Sequence, residues 1–159
     1  MNFYYGLGIL ISCYIIFLIW LFHERPADLS VKDLRISKRQ FVLAGLQWCQ
    51  QNLGTTKHRY DLKIYYYRNS NFGGKFQSCN KQIIIYIYPD LKLTNLTDTI
   101  IHEYVHHLQF SDKSVERDYN KKLAEVGYWE NPYEQEARKI ASQNRNECLV
   151  WILRHNRLC

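Results

Sequence analysis

Hydrophobic and polar positions follow several distinct rhythms along this chain, and each rhythm predicts an element. Phe3 to Phe22, "FYYGLGILISCYIIFLIWLF", is twenty residues without a charge. As an α-helix rising about 1.5 Å per residue it covers roughly 30 Å, the hydrocarbon thickness of a bilayer. That predicts a transmembrane anchor over residues 1–22. No basic segment precedes the run and no small-x-small cleavage site follows it, which argues against a cleaved signal peptide. A linker, residues 23–36, leads to a stretch in which Phe41, Val42, Gly45, Leu46, Trp48, Cys49 and Leu53 recur at helical spacing, with Ser37 to cap its start and Gly54 to end it.

The rhythm then shifts to β-formers. "YDLKIYYYR" reads as a strand entering a hairpin through "NSNFGG", where Gly73 and Gly74 read as turn residues. "KFQSC" and "KQIIIYIYP" read as two further strands, the last ended by Pro89. A small, mainly antiparallel sheet is expected. Helical spacing returns in "LTDTIIHEYVHHLQFS", with Thr97 as cap and Ile100, Ile101, Tyr104, Val105 and Leu108 as the apolar face. After a polar connection containing "SDKSVERDYNKK", a final helix is expected in "NPYEQEARKIASQNRNECLVWILRH", capped by Asn131 with Pro132 at its first position. The order helix, strands, helix, connection, helix is an α+β domain over residues 37–159, behind one membrane helix.

Length and charge change this picture little. A chain of 159 residues holds one core and an appendage. The net charge of +6 comes from scattered residues with no run of five, so headgroup attraction accounts for it and specific nucleic-acid binding is not expected. Arg25, Lys32, Arg35, Lys38 and Arg39 follow the apolar run, which predicts a single-pass protein whose domain lies on the cytoplasmic side. Membrane lipid is then a partner through the N-terminal helix. Five cysteines without framework spacing read as reduced thiols.

The chemistry concentrates in "HEYVHH". On a helix His102 and His106 are one turn apart and present both imidazoles to one cation, while Glu103 lies about 100° around the axis. A carboxylate so placed can take the proton of a metal-activated water and return it to a leaving amine. Two imidazoles do not complete a zinc site. The later "NPYEQEARKIA" offers Glu134 or Glu136, about 200° apart on a helix, so one of them can face the metal. His107 points away from His106. Tyr128, Tyr133 and His107 are near enough in sequence to donate to an oxyanion, and none is singled out.

"HEYVH" followed by "EQEARKIA" resembles the gluzincin type of zinc metallopeptidase, most closely the minimal zincins of the ImmA/IrrE kind. The resemblance implies a zincin-like fold with Zn2+ held by His102, His106 and Glu134, and Glu103 as catalytic base. It also implies a polypeptide substrate laid along an edge strand, here Lys75 to Cys79. Such proteins usually carry Asn or Asp four residues after the third ligand, where this chain has Arg138, so Glu136 stays open as the alternative ligand. The expected function is hydrolysis of peptide bonds by a membrane-anchored metallopeptidase. The alternative is a membrane-tethered binding protein that keeps a zincin-like fold and hydrolyses nothing.

Overall fold

The computed structural model describes residues 29–69 and 72–155. These form α1 (Lys38–Asn52), β1 (Asp61–Tyr65), β2 (Gly74–Gln77), β3 (Gln82–Tyr86), α2 (Leu93–Gln109), α3 (Lys113–Glu130) and α4 (Pro132–His155), with short 3-10 turns at Val31–Asp33 and Ser78–Asn80. The α+β class holds. The expected anchor at Phe3–Phe22 lies outside the described residues, and among these no helix is long and apolar enough to cross a membrane. The single-pass membrane architecture and the localisation built on it are corrected accordingly.

The sheet is mixed, in the order β1-β3-β2, with β1 parallel and β2 antiparallel to β3. The mainly antiparallel hairpin expected from β1 into β2 is therefore also corrected. Burial gives the reason: every residue of β3 is buried, whereas β1 alternates exposed and half-buried positions. A strand with no solvated position gains most at the centre, so β3 separates its two predecessors. Ile83, Ile85 and Ile87 are fully buried, each contributing about 1.5–3 kcal/mol of transfer free energy.

The core joins this sheet to α1, α2 and α4 through Phe41, Trp48, Leu96, Ile100, Tyr104 and Leu149, among others. Ser37 caps α1 as expected, its side chain accepting from Gln40 N while the Gln40 side chain returns a bond to Ser37 N. Two helix limits differ from the sequence expectation. α2 starts one turn before Thr97, at Leu93, because Leu93, Thr94 and Leu96 are buried and extend the apolar stripe. The expected polar connection is the helix α3, broken at Gly127 and contributing no buried residue. Residues read as the end of the linker pack as well: Val31 is buried and its N–H donates to Leu91 O.

Candidate metal centre

α2 divides its side chains among three neighbours. The Tyr104 hydroxyl donates to Gly54 O at 2.7 Å, and the buried His107 ring packs against Tyr60, Tyr104 and Phe76. These contacts fix the rotation of the helix and turn His102 and His106 toward α4 and Glu103 toward β2. α4 brings up Glu134 in its first turn, after Asn131 has accepted a bond from Tyr133 N and set where the helix begins. A carboxylate there also gains from the positive end of the helix.

His102, His106 and Glu134 lie close enough to hold a metal ion. The His106 and His102 Nε2 atoms are 3.1 Å apart; Glu134 Oε1 is 3.2 Å from His106 Nε2, and Glu134 Oε2 is 3.3 Å from His102 Nε2. Ligand bonds of about 2.0–2.1 Å in a tetrahedron give ligand–ligand edges of about 3.3–3.4 Å, so the donor set fits a first-row divalent cation. Two imidazole nitrogens at this separation need a proton or a cation between them. The buried Glu134 Oε2 stands 3.3 Å from His102 Nε2 without a well-formed hydrogen bond, so a cation between the two would satisfy both.

The hydrogen bonds behind the ligands fix one tautomer. Gln109 Nε2 donates to Tyr133 O at 3.1 Å and to Glu136 Oε2 at 2.9 Å, both pure acceptors, so Gln109 Oε1 faces His106 Nδ1 at 2.8 Å. His106 Nδ1 therefore carries hydrogen, and its Nε2 is the atom available to a metal. This also separates the two glutamates. Glu134 joins the cluster, whereas Glu136 holds Gln109. Arg138 sits 3.9 Å from Glu134 Oε2 and donates to Trp129 O, so it attends the third carboxylate without displacing it.

Glu103 is buried between the cluster and β2. Burial raises its pKa above the ordinary carboxylate value, opposed by the imidazoles of His102 and His106, reinforced by Glu134 and eased by the Phe76 N–H. Glu134 goes the other way: burial pushes it up, but bonds to His102, His106 and Tyr119 outweigh that and hold it well below the usual range. In His106 burial favours the neutral ring, yet Glu134 and Glu103 raise its pKa. His107 is lowered, by burial first and then by Lys81 and His58.

Of the tyrosines and histidine considered from sequence, Tyr133 donates to Asp118 Oδ2 and His107 faces the core, whereas Tyr128 lies with its ring beside the Arg138 guanidinium and its hydroxyl bonded to Glu134. Tyr119 also reaches Glu134, its hydroxyl donating to Oε1 at 2.8 Å. It had no motif to mark it. Gly74 was read as a turn residue but belongs to β2, and a Cβ there would lie 2.6 Å from Thr99 Cγ2 and 2.8 Å from Glu103 Cγ. Gly74 is what lets the strand backbone reach α2. The choice of Glu134 had a signal: it falls on the stripe of Ala137, Ala141 and Cys148 that α4 buries, and Glu136 does not. No known family model, curated protein or solved structure matches this chain.

Proposed function

We propose that the protein is a zinc-dependent peptidase of the gluzincin type, acting on a polypeptide laid along the edge strand β2. The observation that carries this reading is the placement of a buried carboxylate, Glu103, between three metal-competent donors and the backbone of an edge strand. His102, His106 and Glu134 would hold the ion. Bound there, zinc supplies a Lewis acid for a carbonyl oxygen and brings the pKa of water near neutrality.

The remaining steps belong to the chain. β2 bonds β3 on one side; register puts the Gly74 backbone groups and the Phe76 carbonyl on the other, where an extended peptide would add as a further strand while Glu103 takes the Phe76 N–H. Glu103, its affinity for a proton raised by burial, accepts hydrogen from the attacking water and delivers it to the leaving nitrogen. The Phe76 N–H holds that carboxylate in place between transfers.

Replacing Glu103 by Gln tests the reading, because the amide keeps the shape and loses the base. Zinc content is expected to stay at about one per chain while hydrolysis of a broad peptide library drops about 10²–10⁴-fold. A Glu103→Gln protein that cleaves as fast as the wild type would sink the assignment.

A further inference from the structure

We infer that Tyr119 is a positioning residue: its hydroxyl pins one oxygen of Glu134 so that the other is left to bind the metal. The inference rests on the metal reading above and adds a residue that no sequence motif marks. The phenol donates to Glu134 Oε1 at 2.8 Å, while Oε2, buried on the same carboxylate, faces His102 Nε2 at 3.3 Å without a well-formed hydrogen bond. A carboxylate free to rotate exchanges its oxygens or binds through both; one with an oxygen committed to a donor presents the other, in one orientation.

The phenol is itself held. Its ring lies edge-on to His106 at 6.2 Å and to Phe110 at 5.1 Å. The Tyr119 carbonyl accepts from Asn131 Nδ2 at 3.2 Å, and Asn131 also caps the start of α4, three residues before Glu134. Contacts thus run in a closed circuit: from the Tyr119 carbonyl through Asn131 to the first turn of α4, along it to Glu134, and back through the hydroxyl. Both ends of the hydrogen bond are fixed by the same cap, so the ligand and its partner cannot drift apart independently.

Tyr133 supplies an internal control, since its hydroxyl makes a comparable 2.8 Å bond between α4 and α3, to Asp118, without touching a ligand. Zinc affinity of the full chain is measured by competition with a chromophoric chelator for the wild type, Tyr119→Phe, Tyr133→Phe, Glu134→Gln and the Tyr119→Phe/Glu134→Gln double variant. Circular dichroism on the same samples reads folding. The expected result is a 10–100-fold weaker affinity for Tyr119→Phe. Tyr133→Phe should stay within about twofold of the wild type, and Tyr119→Phe should cost nothing further once Glu134 is Gln. Should Tyr119→Phe not fold, Tyr119→Leu replaces it, again without a donor. Equal affinity of the wild type and the Tyr119 variant overturns the inference alone, as does an equal loss in Tyr133→Phe. A folded wild type that takes up no zinc overturns the metal reading and this inference together.

Discussion

At His106 a proton and a bound metal ion would compete for the same lone pair, and the surrounding charges set the terms. Its pKa is raised above 6.5 despite burial, so in the metal-free protein it contributes stability that is present at pH below 6.5 and lost as pH rises through the folded value. Glu134 is depressed below 4.5 although burial opposes this, so its contribution is present above 4.5 and lost as pH falls through its low folded value. Glu103, raised by burial, loses stability as pH climbs from 4.5 through its folded value. The melting temperature of metal-free protein is accordingly expected to fall as pH rises above 6.5 through the folded value of His106. Saturating zinc displaces the proton, so the gain in melting temperature on adding zinc grows over the same interval. Differential scanning calorimetry with and without a chelator checks both slopes; a metal-free transition that is flat across the interval would remove the His106–Glu134 pairing.

Among the elements, the contact of β2 with α2 is the one a small change breaks. Gly74→Ala sets a methyl against Thr99 and Glu103 at separations of 2.6 and 2.8 Å, and is expected to cost about 1–3 kcal/mol by overpacking. Because the strain falls on Glu103 and not on the ligands, turnover should drop further than zinc affinity, which a melt and a chelator titration on the same variant separate. Much of the element order was legible. Ser37 and Asn131 announced α1 and α4, and the imidazole spacing announced the face of α2 that meets Glu134. Pairing was not, because β-propensity marks a strand without naming its neighbours; the unbroken apolar run of β3 was the clue to its central place. α3 carries Val115, Tyr119, Leu123 and Val126 at helical spacing, but the stripe stays unburied and is outnumbered by charged and polar residues, so the stretch read as a connection; Asp112, which accepts from Ser114 N, marks its start. The carboxylate that joins the two histidines was narrowed to two residues, and the packing of Ala137 and Ala141 decided between them.

For the molecule as a whole, stability is unevenly spread. α2 and β3 lie in the core, whereas α3 is seated by polar contacts from Glu116 to Ser78, Tyr133 to Asp118 and Tyr119 to Glu134. Hydrogen exchange is expected to be faster along α3 than along α2 or β3, reflecting local opening that leaves the core closed; equal protection in all three would contradict this seating. The position of β3 carries a further consequence. From Gln82 to Tyr88 the chain reads seven residues without a charge, rich in isoleucine, and folding hides them by pairing both edges of the strand within the sheet. Unfolding lays bare a segment suited to intermolecular cross-β stacking, guarded in sequence by Lys81 and Pro89 at its two ends. Heat denaturation should therefore end in aggregate, with no transition left on a second scan of the same sample.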